Sequence, residues 1–237
     1  MPASLTSDSV HDLSAKPAGN YRWVICALLF FATTINYVDR AVISILKPNL
    51  MAELNWSETN YGDIMAAFSF AYAIGYAAAG RAIDLVGVRI GYAVAVVAWS
   101  LAAMGGGLMR TVTQFMVIRS ALGIAEGANF PACVKSISEW FPRRERASAT
   151  GICNSGSNVG VIVAPILIPW LTTSFGWPYA FYVTGALGFV WLIFWLLIYE
   201  APERHPRVAP EELAYIRSDP PDPQVQIPWV QLLRYRQ

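Results

Sequence analysis

The chain has 237 residues, of which 55% are hydrophobic and only 14% are charged, against about 25% charged in an ordinary soluble domain. This deficit argues against water as the main solvent. Seventeen Lys and Arg against sixteen Asp and Glu leave no basic surface for nucleic acid.

The apolar residues come in runs, and six windows of about 20 residues can each cross a bilayer core of about 30 Å. In chain order the predicted membrane helices are residues 23–46, 62–83, 90–109, 113–135, 147–170 and 178–199. The first run is too long for a secretory signal, so we expect it to be retained. The fold class predicted is therefore an all-α membrane protein with six transmembrane helices. A short surface helix is expected over residues 211–217, after Pro210.

Basic residues predict the orientation of these spans. Most Lys and Arg fall on one side of the six crossings, and by the positive-inside tendency that side is cytoplasmic. Residues 1–22 then form a cytoplasmic tail, residues 23–199 the bundle and residues 200–237 a cytoplasmic linker. We expect a multi-pass protein of the inner membrane with both termini in the cytoplasm.

Four charged residues lie inside predicted spans and well away from the span ends: Asp39 and Arg40 in the first, Arg119 and Glu126 in the fourth. Each costs about 2.5 to 3.5 kcal/mol near a helix centre, so they must pair or face a wet cavity. Asp39 and Arg119 both lie about 10 Å below the outer surface, so an ion pair between them is geometrically possible. Glu126 lies nearly two turns deeper on the face of Arg119. Either the four lock two helices together as an ion network, or they serve a substrate and protons.

Polar side chains recur at helical spacing on three spans and favour a hydrophilic cavity, although each one could equally serve ordinary helix-to-helix hydrogen bonding. The stripes are Thr33, Asn36, Tyr37 and Arg40 in the first span, Ser69, Tyr72 and Tyr76 in the second, and Asn154, Ser157 and Asn158 in the fifth. The guanidinium that ends the first stripe is suited to bidentate binding of a carboxylate.

Small residues predict where helices approach closely. Gly123 and Gly127 have the required spacing in the fourth span, and Gly151, Gly156 and Gly160 line the fifth. Tight static packing and a sliding contact are both compatible with this pattern.

Cysteine and histidine usage excludes other classes of protein. The three cysteines are isolated, and both histidines lie outside the apolar windows, so we expect neither a disulfide framework nor a metal site. No nucleophile pair can be assembled at membrane depth, so an enzyme is not expected.

The loop between the second and third spans resembles the signature of the major facilitator superfamily of secondary transporters. It carries Gly80, Asp84, Gly87 and Arg89 at the matching positions, while Leu85, Val88 and Ile90 stand where basic residues often occur. The resemblance covers essentially the whole chain and implies a six-helix half of a twelve-helix carrier, with the substrate between the two halves.

Residues 36–40, 119–131 and 138–147 resemble the anion:cation symporter branch, and within it the hexuronate transporters. The resemblance implies that Arg40 binds a substrate carboxylate, that Tyr37 and Tyr72 line the sugar-acid site, and that Asp39 and Glu126 exchange protons. Arg119 would balance the charge of Asp39. Asn36 and Asn154 of the polar stripes complete the expected substrate site.

The expected function is thus proton-coupled symport of small organic anions such as hexuronates, by one half of a carrier whose other six-helix half is the missing partner. The proton is the coupling ion, sodium is not excluded, and no other cofactor is expected. The alternatives are an organic-phosphate antiporter of the same superfamily and a non-transporting remnant that needs a partner half. We expect the 237 residues alone to insert in a lipid bilayer without transporting.

Overall fold

The computed structural model describes residues 19–219, and the regular secondary structure in that range is helical. Its helices are α1 (Tyr21–Leu54), α2 (Glu58–Val86), α3 (Val88–Gly106), α4 (Val112–Glu126), α5 (Asn129–Trp140), α6 (Arg143–Phe175), α7 (Trp177–Ile198) and α8 (Pro210–Ile216). α1 and α6 have 34 and 33 residues, about 50 Å of helix each, so both extend beyond a bilayer core.

Short polar sequences fix where the helices begin. Ser57 and Asn60 form a reciprocal capping box at the start of α2, and Thr111 and Gln114 form the same arrangement at the start of α4. Each box satisfies backbone N–H groups that have no partner in the first turn. Gly87, with φ +81°, separates α2 from α3.

The predicted continuous helix over residues 113–135 is wrong, because the structure divides it into α4 and α5. Gly127 and Ala128 form a tight turn between them, with the Ala128 N–H bonded to the Ala125 carbonyl at 3.2 Å. Pro131 supplies the cause: it has no N–H, and its ring clashes with the carbonyl four residues earlier, at Gly127. The sequence places a proline inside a long apolar run, and the chain bends there.

Three helix pairs make the most extensive contacts: α1 with α6, α2 with α4, and α3 with α7. Glycines allow the first two pairs to approach closely, since a Cβ on Gly123 would lie 2.6 Å from the Phe68 carbonyl oxygen and one on Gly160 would lie 2.7 Å from that of Thr34. The predicted packing role of these glycines is confirmed. It is wrong for Gly151, where a Cβ would meet open space.

Four of the described helices, α1, α3, α6 and α7, are long and apolar enough to cross a membrane. α2 has sufficient length, with 29 residues, but it is more polar, and α4 and α5 together form the remaining crossing.

The short helix α8 packs on one end of the bundle, which we call the α8 end. The Arg22 guanidinium bonds Glu145 Oε2 at 2.7 Å and Glu212 Oε1 at 3.2 Å, and the Tyr215 hydroxyl donates to Glu145 Oε1 at 2.7 Å. The helix expected over residues 211–217 is confirmed. Of the expected tail and linker, residues 1–18 and 220–237 lie outside the described residues.

Candidate functional site

Two adjoining cavities lie between α1, α2 and α6. The polar cavity, of about 400 Å³, is lined by Thr33, Asn36, Tyr37, Tyr72, Tyr76, Asn129, Phe130, Asn154 and Ser157. The arginine cavity, of about 500 Å³, is lined by Tyr37, Arg40, Ala41, Ser44, Met65, Phe68, Ser69, Tyr72 and Val161. Tyr37 and Tyr72 belong to both, so the two cavities form one continuous lining. The polar stripes predicted on three spans therefore meet, with Asn158 as an exception that lines neither cavity.

Arg40 is the charged residue that faces this space. Its Nε donates a hydrogen bond to Glu126 Oε2 at 3.1 Å, and its Nη2 lies 3.1 Å from the same oxygen. The Nη2 also donates to Asn36 Oδ1 at 3.4 Å. The Tyr72 ring lies 4.5 Å and the Tyr37 ring 5.1 Å from the guanidinium carbon. The side chain keeps 25% of its surface exposed, so a ligand anion can reach it.

Glu126 lies behind Arg40 and is completely buried. The Nε and Nη2 atoms of Arg40 both contact its Oε2 atom. Its Oε1 atom has no hydrogen-bond partner among the described residues. A buried carboxylate oxygen without a partner is costly unless water or a proton satisfies it. Oε1 is therefore open to a proton while Arg40 still occupies Oε2.

The structure does not form the ion pair that depth suggested between Asp39 and Arg119. Both side chains are buried, yet neither oxygen of Asp39 and neither Nε nor Nη2 of Arg119 has a hydrogen-bond partner among the described residues. Equal depth in the membrane does not make Asp39 and Arg119 pair. The ion pair between α1 and α4 is formed by Arg40 and Glu126 instead. Asp39 lies close to Thr184 of α7, so adjacent residues of α1 point in different directions, as their offset of about 100° predicts.

Asn36 and Asn154 are both placed in the polar cavity, as the stripes predicted. Asn36 is 1% exposed, and its Nδ2 donor has no partner among the described residues. A buried amide donor beside a cavity can hydrogen-bond a hydroxyl group of a ligand. Asp39, Arg119 and Glu126 line neither cavity, so they can act on a ligand only through Arg40 or through water.

Sequence reasoning missed Phe68 and Asn129. The Phe68 ring lies between two guanidinium groups, 5.5 Å from that of Arg40 and 4.7 Å from that of Arg119. It is four residues before Tyr72, so the spacing of the second stripe could have found it. Asn129 lines the polar cavity and accepts a 2.5 Å hydrogen bond from Tyr92. Its position three residues after Glu126 could have indicated that it faces the same side as that carboxylate.

The signature loop lies at the α8 end. Asp84 forms an ion pair with Lys135 of α5, and Arg89 bonds Glu200 at 2.5 Å and the Leu196 carbonyl at 2.8 Å. Gly87 is the positive-φ residue between α2 and α3, and Gly80 has open space around it. These contacts tie the loop to α5 and to the end of α7, away from the central cavities.

No group of three or more His, Cys, Asp or Glu residues within 19–219 is placed to hold a metal ion. What the arrangement offers chemically is a partly exposed guanidinium, a buried carboxylate in contact with it, and a ring of hydroxyl and amide groups. It is suited to binding and release of an anion with polar substituents.

The family model described as Major Facilitator Superfamily matches residues 29–236. The hexuronate transporter of Escherichia coli (strain K12) is 38% identical over 195 residues, which cover 82% of this chain and 45% of that protein. The galacturonate transporter of Dickeya chrysanthemi is 38% identical over 197 residues, covering 83% of this chain and 57% of that protein.

Among solved structures, a bacterial homologue of the human lysosomal transporter Spinster superimposes with a TM-score of 0.69 at 22% identity, over 77% of this chain and 44% of that one. The chain spans about half the length of the curated relatives it matches. Its helical bundle shares the fold of that Spinster homologue. With the family model matched over most of its length, the chain belongs to the Major Facilitator Superfamily.

Proposed function

We propose that this chain is the N-terminal half of a proton-coupled symporter for small organic anions, with hexuronates and related sugar acids as substrates. The observation that carries the proposal is the contact between Arg40 and Glu126 beside an open polar cavity. The similarity to hexuronate and galacturonate transporters supports the substrate class. Arg40 anchors the substrate carboxylate, and Tyr37, Tyr72, Asn36 and Asn154 surround its hydroxylated part.

Competition for one guanidinium couples the proton to the substrate. While Glu126 is ionised it occupies Arg40, and an incoming carboxylate must displace it. A proton on Glu126 Oε1 neutralises that competitor and frees the guanidinium for the substrate. Each ligand therefore favours the binding of the other, which is reciprocal coupling between two sites.

Asp39 and Arg119 form the second part of the proton pathway in this proposal. Both are buried with polar atoms that lack partners within residues 19–219, a condition that water or a transferred proton relieves. Arg119 balances the charge of the two carboxylates electrostatically without bonding either one. The coupling ion is the proton.

The complete carrier requires a second six-helix bundle that closes over the cavities, since alternating access is rocking of two bundles about one site. We place both termini and the α8 end in the cytoplasm and the protein in the inner membrane. The signature loop with Asp84 and Arg89 then lies on the cytoplasmic side. The chain alone inserts in the membrane and does not transport.

An organic-phosphate antiporter is not favoured. The curated relatives are sugar-acid transporters, and Arg40 is the basic side chain of the described residues that lines the two central cavities. A phosphate ester would favour additional cations there.

The test is uptake of labelled galacturonate into liposomes by this chain assembled with the C-terminal half of the Dickeya chrysanthemi relative. We expect accumulation driven by an acid exterior, no binding by the Arg40→Ala variant, and retained exchange without pH-driven accumulation by Glu126→Gln. The exposed Arg204 offers a matched control, and Arg204→Ala should accumulate substrate like the unmodified chain.

The positive control is the relative's own N-terminal half, assembled with its C-terminal half in the same way. Uptake by this control shows that two separate halves can transport galacturonate. Intact pH-driven accumulation in Glu126→Gln would refute the coupling role, and uptake by the 237-residue chain alone would refute the half-carrier proposal. Uptake by the Arg40→Ala variant would refute the proposal that Arg40 binds the substrate carboxylate.

A further inference from the structure

Two buried thiols meet where α5 and α6 pack together. Cys133 of α5 and Cys153 of α6 are free and each is 2% exposed. Both contact one oxygen atom, Thr33 Oγ1 of α1, with sulfur distances of 3.8 Å and 3.5 Å. Because both sulfur atoms contact the same oxygen atom, the two cysteines form a pair and are not isolated.

This thiol pair lies directly behind the wall of the polar cavity. Thr33, which touches both sulfur atoms, is itself a lining residue of the cavity. Asn129, another lining residue, donates to Thr33 Oγ1 at 3.4 Å. A small neutral molecule in the cavity is therefore separated from the two thiols by one side chain.

The pair also connects two walls of that cavity. Cys133 lies one helical turn after Asn129 on α5, and Cys153 is the neighbour of Asn154 on α6. Asn129 and Asn154 both line the polar cavity. A covalent bond between the sulfurs would tie α5 to α6 beside these two amides.

We propose that Cys133 and Cys153 are a modification site, oxidised to an intramolecular disulfide by a peroxide that enters through the polar cavity. One thiol reduces hydrogen peroxide, giving a sulfenic acid and one water as the O–O bond breaks. The second thiol then attacks that sulfur, forming the S–S bond and releasing a second water. The two thiols lose two electrons and two protons in total, and the peroxide takes them up to give the two waters.

Charge favours this product over a metal complex of the same pair. A disulfide is neutral, whereas two thiolates that hold a monovalent soft cation leave a net negative charge in an apolar interior, which is costly. The sulfurs must also approach to about 2.05 Å, which brings α5 and α6 together at this level. In a reducing cytosol the pair stays as thiols, and the disulfide is a transient product of peroxide exposure.

The consequence is a change in the cavity. Oxidation removes the two S–H donors beside Thr33 and restricts the spacing of Asn129 and Asn154. This part rests on the proposed function, because it predicts weaker binding of a sugar acid after oxidation. The disulfide itself does not rest on it.

The test is peptide mapping of the full chain in lipid nanodiscs after treatment with hydrogen peroxide, under non-reducing conditions. We expect a cross-linked pair of peptides that contain Cys133 and Cys153, lighter by two hydrogens than the sum of the separate peptides, and restored by dithiothreitol. Cys26 should remain a free thiol. Cys26 is the alternative disulfide partner for Cys153, because it is also buried and lies near that residue.

Two variants sharpen the mapping. Cys26→Ser should form the same cross-link, and Cys133→Ser should form none. A disulfide between Cys26 and Cys153, disulfides between separate chains, or thiols that remain reduced would each overturn the proposal. Mapping of the unmodified chain decides the question even if a variant fails to fold, and galacturonate binding by the unoxidised chain separates failure of the proposed function from failure of the disulfide.

Discussion

Two clusters of charged side chains lie in this bundle, and they differ in how completely their charges are partnered. The basal cluster at the α8 end consists of Arg22, Glu145, Glu212 and Tyr215, and its guanidinium bonds both carboxylates. The central cluster consists of Asp39, Arg40, Arg119 and Glu126, and one contact joins Arg40 to Glu126. Residue types are alike in the two clusters, but the bonding is not.

The difference separates a structural role for the basal cluster from the transport role that we propose for the central cluster. Buried charges stabilise a fold only when hydrogen bonds satisfy them, and the basal cluster meets that condition by holding α1, α6 and α8 together. In the central cluster five buried polar atoms of Asp39, Arg119 and Glu126 have no partner among the described residues. Such a site retains capacity to bind protons, water and a ligand anion.

Removing the basal guanidinium should give the largest loss of stability. Arg22→Ala leaves Glu212, whose side chain is 2% exposed, without its side-chain cation, and we expect a loss of about 3 kcal/mol. The free energy of unfolding, measured by titration with SDS in mixed micelles, checks this value.

Arg217→Ala is the matched control for that measurement. Arg217 and Glu203 form an ion pair in which both side chains are about half exposed, so its loss should cost less than about 0.5 kcal/mol. Equal effects of the two substitutions would contradict the structural role assigned to the basal cluster.

The basal cluster should also give a smaller effect that depends on pH. Partial burial, followed by the hydrogen bond to Glu145, raises the pKa of the Tyr215 hydroxyl above its ordinary value. A raised pKa means that the contribution to stability is complete below the ordinary value, near 10, and is lost as pH rises through the raised value.

Tyr215→Phe should therefore cost about 1 kcal/mol at neutral pH, the usual value of one hydrogen bond, and should reduce the loss of stability above about pH 10. Limited proteolysis at the α8 end over this pH range measures the effect. An unchanged alkaline profile in Tyr215→Phe would show that another group controls the attachment of α8.

Much of this arrangement is predictable from the sequence, because apolar runs and polar stripes follow the period of a helix. The six crossings, the short helix α8, and the meeting of Arg40, Tyr37 and Tyr72 at one cavity all follow from spacing. The glycines at 123 and 160 likewise indicated which helices approach closely.

Spacing and depth did not identify which charges pair. Asp39 and Arg119 have matching depths, but pairing also depends on how each helix is rotated about its axis, which is set by packing against neighbours. The α1 rotation that directs Arg40 toward Glu126 directs Asp39 toward Thr184. The division between α4 and α5 does not follow from hydropathy, because Pro131 interrupts the helix without interrupting the apolar run.

A small change in stability is expected in the central cluster, and it tests the comparison most directly. Asp39→Asn removes a buried charge whose oxygens accept no hydrogen bond from the described residues, so little bonding is lost and the desolvation cost of a charge is relieved. We expect the free energy of unfolding to change by less than about 1 kcal/mol, while the assembled carrier loses pH-driven accumulation of galacturonate. A large destabilisation would place Asp39 in the same structural class as Arg22. Unchanged stability together with unchanged accumulation would remove Asp39 from the proton pathway and leave that role to Glu126.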